Sequence, residues 1–454
     1  MIKIMNNIQD KSVQKKFLDF ENNHQVFLKE VSGIRIWKLI RITMYRFVAQ
    51  DQVQKTKNNH KRRRFNILDY TFNSIFFSYG RCDTIIFENP RKIKNKIGYY
   101  DPYTKYYIDE YLSVDSNYQI IDDGYLGNHY EKSNRLRKFN NSFYYDIVLR
   151  IRDFFFRKNI SLKESSMLDS LEKSFDTEFK VSSNLKKHVI NQISVFNFQL
   201  KKYGSIYDSK KCKEIYIVCS YGKEGMIHAA KIRSIKVTEF QHGNMGPYQM
   251  GYHFPNTHDI SYFPDRLLLF GEIWKDITCF PPVEIGMVGY KHLTETLNNY
   301  LDIKKQEKSI VVISQPSVSD KLIPFVIKTA EKNLDYTFTY RLHPKEKKIW
   351  KEKYPKLVNS SLVNFTVDDS SDDLYELIAN AEFVIGVHST TILECIMLDA
   401  NVILVDLPGV EHMSFLIEKS FVNLVRYDHL LIIDEIDKLQ YTANKNYIYE
   451  GFNC

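Results

Sequence analysis

The stretch TYRLHPKEKKIW, Thr339–Trp350, sets the fold class for the second half of this chain. Aromatic and β-branched residues come first and a lysine- and glutamate-rich segment follows, the pattern of a β-strand running straight into a helix. His343-Pro344 sits at the join. Pro344 suits a first helical turn, where a missing N–H costs nothing, and it helps fix the direction of His343. Outward from this point, apolar strand-like runs recur at Ser309–Ile313 (SIVVI), Tyr336–Leu342 (YTFTYRL), Leu362–Phe365, Glu382–Val387 (EFVIGV) and Asn401–Val405 (NVILV). Helices are expected between them over 320–333, 345–353, 371–380 and 391–398. Short apolar strands alternating with helices indicate a parallel sheet covered on both faces.

The same alternation fills the preceding part of the chain. Strand-like runs stand at Thr84–Phe87, Tyr118–Ile121, Glu214–Cys219, Ile235–Phe240 and Leu267–Phe270, with a helix expected over Gly222–Ile232. A chain of 454 residues is too long for one ordinary core and fits two domains of roughly 150–200 residues. The expected fold class is therefore α/β, with two Rossmann-like, doubly wound domains facing a cleft and a helical N-terminal segment. The boundaries read as residues 1–80 for the helical segment, 81–300 for an acceptor-side domain and 301–454 for a nucleotide-binding domain with a C-terminal tail. The segment LNNYLDIKKQEK, Leu297–Lys308, reads as the linker.

Composition narrows the function classes. Hydrophobic content of 44% and aromatic content of 14% suffice for packed cores. A formal charge of +8 is modest for this length; it suits an anionic ligand or an anionic membrane face and does not imply nucleic acid. The densest basic run, KNNHKRRRF at Lys57–Phe65, reads as a solvated linker or as an electrostatic membrane contact. Cys82, Cys212, Cys219, Cys279, Cys395 and Cys454 show no CxxC spacing and read as buried thiols of a reducing, cytoplasmic compartment. The N-terminus lacks the apolar core of a signal peptide, and no run approaches the ~20 apolar residues of a membrane span. VSGIRIWKLIRITMYRFVA, residues 31–49, carries Arg35, Lys38, Arg41 and Arg46. It reads as an amphipathic helix that packs on its own protein or lies on a membrane surface.

In open α/β sheets, ligands bind at the carboxyl ends of strands and at the starts of the helices that follow. Four strand ends of the second half carry polar groups: Ser314-Gln315-Pro316-Ser317, His343-Pro344, His388-Ser389-Thr390-Thr391 and Asp406-Leu407-Pro408-Gly409. The hydroxyl cluster at Ser389, Thr390 and Thr391 can cap backbone N–H groups or cradle a phosphate. His343 can donate to a phosphate oxygen or bond a backbone carbonyl. Arg341 alternates to the same face as His343 and can add charge. The first half supplies carboxylates. Asp122-Asp123-Gly124 follows the YQII strand; Asp-Gly is a turn signal, and two adjacent carboxylates can also place a general base of raised pKa. Glu239, Gln241 and His242 precede a glycine-rich loop in TEFQHGNMGPYQMGY, Thr238–Tyr252, and such a loop after a buried strand is seldom a mere connection.

Asp-Asp-Gly after a first-domain strand, His-Pro after a second-domain strand and a Ser/Thr pair near the next helix together resemble the motifs of bacterial sialyltransferases. These are GT-B glycosyltransferases that use cytidine monophosphate sugars and need no metal. The resemblance, over about residues 84–410, implies a general base at Asp122 or Asp123 and donor-phosphate contacts from His343 and from Ser389 with Thr390. Here the pair is preceded by His388, and residues 1–80 have no counterpart in that family. EFQHG is similar to a wider group of capsule and lipopolysaccharide glycosyltransferases with a Gln-His-Gly loop, which makes Glu239 and His242 rival bases to Asp123. The expected function is an inverting transferase without metal or cofactor. It moves a nonulosonic acid, sialic-acid-like or Kdo, from a CMP-linked donor to a glycan or lipid-linked glycan at the inner membrane face. The alternatives are a CDP-glycerol-type glycerophosphotransferase, a UDP-sugar transferase or epimerase of the same fold, and a non-catalytic glycan-binding protein.

Overall fold

The computed structural model describes residues 9–49, 80–94, 99–112, 116–123, 136–139, 160–256, 260–436 and 445–451. The basic run Lys57–Phe65, Gly124 and Cys454 lie outside the described residues. The chain divides into one unit of Ser12–Val288 and another of Met1–Lys11 with Gly289–Cys454. The division thus falls at Val288/Gly289, ahead of the expected linker. Leu297–Lys308 instead ends the helix Lys291–Asn298 and enters a strand.

The first unit holds a seven-stranded sheet built from β1 (Thr84–Phe87), β2 (Tyr118–Asp123), β3 (Leu136–Phe139), β4 (Glu214–Val218), β5 (Lys236–Phe240), β6 (Arg266–Leu269) and β7 (Glu284–Met287). Its order is β3-β2-β1-β4-β5-β6-β7, and every neighbouring pair is parallel. Successive strand side chains point to opposite faces, and both faces are apolar. Ile85, Phe87, Ile215, Ile217 and Val237 pack in one core, and Ile86, Tyr216, Val218, Phe240 and Leu268 in another. Burial on both faces explains why these strands read as continuous apolar runs.

Helices complete this unit: α1 (Gln9–Asn23), α2 (Trp37–Val48), α3 (Leu162–Phe179), α4 (Leu185–Lys210) and α5 (Glu224–Lys231). Ser161 and Glu164 form a capping box that starts α3, each satisfying a backbone N–H that the helix leaves open. Of the amphipathic segment, Trp37–Val48 folds as α2 and packs on its own protein, while Val31 and Ile34–Arg35 lie in a short antiparallel hairpin instead of extending the helix. Trp37, Ile40 and Met44 join Phe17 and Phe20 of α1 and Phe175 of α3 in one buried cluster. Among the described residues no helix is long and apolar enough to cross a membrane.

Two of the four cations of that segment, Lys38 and Arg41, are buried. Arg41 bonds both carboxylate oxygens of Glu21, at 2.6 and 2.8 Å, and donates to the carbonyls of Met250 and His253. Trp37 Nε1 donates to the same carboxylate at 2.5 Å. Removing one partner of a buried pair leaves the other charge without compensation. Glu21→Ala should therefore destabilise the protein by about 3–5 kcal/mol, read as a lowered urea midpoint. An unchanged midpoint would show that water reaches Arg41.

The second unit repeats the plan. Its strands are β8 (Gln306–Ile313), β9 (Thr337–Arg341), β10 (Phe365–Asp368), β11 (Ala381–Gly386), β12 (Asn401–Val405) and β13 (Asn423–Val425). They run β10-β9-β8-β11-β12-β13, all parallel. The described helices include α6 (Ser319–Lys332), α7 (Leu374–Asn380) and α8 (Thr391–Met397). Counting strands within each unit, the first six of one and all six of the other follow the order 3-2-1-4-5-6, the Rossmann arrangement. Two Rossmann-like, doubly wound units with N-terminal helices give the chain the GT-B fold class.

Two local expectations are corrected. The edge strand expected at Leu362–Phe365 forms at Phe365–Asp368, and Val363 is fully exposed. The helix expected over 345–353 is a run of turns until Trp350, with helix only over Trp350–Lys353. Pro344 therefore sits in a turn and does not open a helix. The cause is Glu346, whose side chain is drawn into the interior.

Candidate functional site

The strand order of the second unit reverses between β8 and β11, and in doubly wound sheets ligands bind at the carboxyl ends beside that point. The loops leaving these two strands carry Ser314-Gln315-Pro316-Ser317 and His388-Ser389-Thr390. They meet where Ser317 Oγ lies 3.4 Å from His388 Nε2. The Ser389 hydroxyl accepts the Thr391 N–H at 3.3 Å and closes the turn into α8. Thr390 is exposed. Gly409, after β12, has φ +99°, and a Cβ there would fall 2.1 Å from the His388 ring. Only glycine lets that loop lie against the imidazole.

His343 follows β9. Its Nδ1 accepts the Lys345 N–H at 3.1 Å, so the neutral ring carries its proton on Nε2. Partial burial is the main cause that lowers its pKa below the usual histidine value. At neutral pH it thus presents one N–H donor.

The group that holds these loops was not foreseen. Glu346 is buried and accepts hydrogen bonds from Ser314 Oγ at 2.5 Å, Ser319 Oγ at 2.8 Å, the Tyr354 hydroxyl and the His343 N–H at 3.2 Å. One carboxylate thereby joins the β8 loop, the first turn of α6 and the β9 loop. In sequence it lies in KEKK, which reads as a solvated face.

Two expected donor-site residues are placed elsewhere. Ser314 is buried against Glu346 and Tyr340, and so does not present its hydroxyl to a ligand. Arg341 pairs with Asp368 at 2.5 Å and also bonds Ser370 Oγ and the Asp372 carbonyl, so its charge is spent within the β10 edge. Gln315 is half-buried, and its carbonyl accepts from Ser319 Oγ at 2.9 Å.

In the first unit, Asp122 is buried and lies 2.8 Å from Lys92 Nζ, which also pairs with Glu88. That ion cluster removes Asp122 from the candidate bases. Asp123 ends β2 opposite Phe139; its side chain lies outside the described residues. Glu239 is fully buried. One oxygen accepts the Ser220 N–H at 2.8 Å and the Tyr252 hydroxyl, and burial pushes its carboxyl pKa up. Glu239 therefore reads as a structural group rather than the base: Ser220 and Tyr252 take up that oxygen, and the upward shift favours the protonated carboxyl over the form that accepts a proton.

The Gln-His-Gly loop is built from its first residue. Gln241 accepts the Phe270 N–H at 2.7 Å and donates to the Gly243 carbonyl at 2.8 Å, pinning the loop to the end of β6. Tyr103 donates to the His242 carbonyl at 3.1 Å. The His242 Nε2 lies 3.0 Å from the Tyr221 hydroxyl. Burial first, then Lys223 and Arg91, push its pKa down to about 4, so the ring is neutral at pH 7. Among the described residues no group of three or more His, Cys, Asp or Glu is placed to hold a metal ion.

No family model matches the chain, and no curated protein matches it. Among solved structures it is similar to UDP-GlcNAc 2-epimerase from Neisseria meningitidis bound to UDP-GlcNAc, at 12% identity and TM-score 0.42, covering 76% of this chain and 87% of that one. It is also similar to Acinetobacter baumannii MurG, at 7% identity and TM-score 0.42, covering 78% of this chain and 88% of that one. The wall teichoic acid polymerase TagF matches at 11% identity and TM-score 0.33, covering 80% of this chain and 78% of that one. With likenesses this low, the fold assignment rests on strand order and register.

Proposed function

We propose that this protein is an inverting, metal-independent glycosyltransferase. In this reading it moves a nonulosonic acid, sialic-acid-like or Kdo, from a CMP-linked donor to a capsule or lipopolysaccharide glycan presented on lipid at the inner membrane face. The observation that carries the reading is His343. Its Nδ1 is committed to Lys345, which leaves Nε2–H as a fixed donor at a strand end of the nucleotide-binding type of sheet.

The chemistry follows from charge. When the glycosyl bond breaks, negative charge develops on the departing phosphate, and donors already aimed at that position stabilise the transition state more than the ground state. His343 supplies one donor, and the hydroxyls of Ser389, Thr390 and Thr391 supply others. The acceptor hydroxyl loses its proton to a first-unit base. His242, neutral at pH 7, is the candidate whose surroundings support that role, and Asp123 is its rival.

Incubation with a panel of nucleotide sugars and CDP-glycerol, followed by detection of the released nucleotide, tests the reading. CMP release is expected, and it should persist in EDTA because, in this reading, protein donors supply the charge stabilisation that a cation would otherwise give. CDP release from CDP-glycerol would transfer the same phosphate chemistry to glycerol phosphate. Activity that needs added magnesium would overturn the metal-independent donor site.

A further inference from the structure

We propose that Tyr221 is the positioning residue of His242, and that buried Glu239 in turn holds Tyr221 in place; this rests on the reading of His242 as the acceptor-side base. A neutral imidazole carries one proton, and the partner of one ring nitrogen decides the state of the other. His242 Nδ1 is buried without a hydrogen-bond partner among the described residues. It becomes a proton acceptor only if Nε2 keeps the proton. The Tyr221 oxygen, 3.0 Å from Nε2, is the group that accepts that N–H. It would also stabilise the imidazolium formed when Nδ1 takes the acceptor's proton, the service a carboxylate gives histidine in a catalytic triad.

The surroundings fix Tyr221 in that place. β4 ends at Val218, and Cys219 turns the chain with φ 68°, a left-handed conformation that a non-glycine residue adopts only when neighbours hold it. The Ser220 N–H donates to Glu239 Oε1 at 2.8 Å, which sets the turn. The Tyr252 hydroxyl binds the same oxygen, and its ring stands edge-on to Tyr221 at 5.9 Å. On the other side a Cβ at Gly251 would come within 2.9 Å of the Tyr221 ring, so the glycine of the QMGY segment permits the close approach. Tyr221, Tyr252 and Glu239 thus absorb the part of the glycine-rich loop that the proposed function does not use. Lys223 and Arg91 act electrostatically on His242, and Cys219, Glu239 and Arg46 act on Tyr221. These groups stay in place when the Tyr221 hydroxyl alone is removed.

The test is Tyr221→Phe in the full chain, labelled with nitrogen-15 histidine, with the His242 signals assigned by their loss in His242→Asn. Wild type should show His242 as one tautomer with its proton on Nε2. Tyr221→Phe should show a mixture of tautomers, while kcat falls roughly ten- to a hundredfold and the donor KM stays near wild type. A shifted tautomer with unchanged turnover would support the Tyr221–His242 link and overturn His242 as the base. An unchanged tautomer, or a wild-type protein with its proton on Nδ1, would overturn the inference.

Discussion

Replacing His343 by alanine is expected to lower kcat about a hundredfold or more, the scale of losing one preorganised donor to a developing anion. The expectation follows from the state of the ring. Nδ1 is occupied by the Lys345 N–H, and burial holds the ring neutral, so the mutation deletes one N–H and no net charge. Donor binding in the ground state, spread over several hydroxyls, should weaken much less than turnover, so KM should change little while kcat collapses. The loop should keep its shape, because Glu346 accepts the main-chain N–H of residue 343 and joins it to Ser314 and Ser319. Stability should stay within about 1 kcal/mol of wild type. Steady-state rates of nucleotide release together with a urea melt decide the matter. Normal turnover in a folded variant would remove the donor site from the proposed chemistry.

The strands most legible in the sequence are those buried on both faces. EIYIV, RLLL and NVILV are apolar because helices cover both sides of their sheets. The strands LRKF, EIGM and NLV went unread: the first and last lie at sheet edges, EIGM closes the other edge, and edge strands need less apolar burial. Strand-end reasoning puts His343, Ser389 and Thr390 just after their strands, and the structure has them there; in such sheets that is the edge where ligands bind. It misread Ser314, Arg341, Asp122 and Glu239 for one shared reason. Each has a partner beyond the reach of helix or strand periodicity (Glu346, Asp368, Lys92 and Tyr252), and local spacing carries no signal of a pairing that only the folded chain creates. Glu346 was invisible for the converse reason, since a glutamate among lysines reads as surface.

The largest effect is expected at the base. Of four sequence candidates, Asp122 is held by Lys92 and Glu239 by Ser220 and Tyr252, which leaves His242 and Asp123. His242→Asn should cut transfer about a hundred- to ten-thousandfold, the contribution of a positioned general base, while CMP binding stays near wild type because the donor groups belong to the other unit. Asp123→Asn should keep most of its turnover. Glu239→Gln should also remain active, since an amide oxygen still accepts the Ser220 N–H. The pH profile provides a second reading with a definite sign. With its pKa pushed down to about 4, His242 stays unprotonated as pH falls through the ordinary histidine range near 6.5. The acidic limb of kcat/KM should therefore not appear until the pH nears that lower value. The same shift makes protonation oppose folding, because the unfolded chain binds the proton first; stability conferred above pH 6.5 declines as pH falls from there toward 4. Measuring CMP binding, turnover and the acidic limb for the three variants side by side separates the candidates. Collapse in Asp123→Asn with full turnover in His242→Asn would move the proton transfer to the end of β2, and His242 would then be a structural part of its loop.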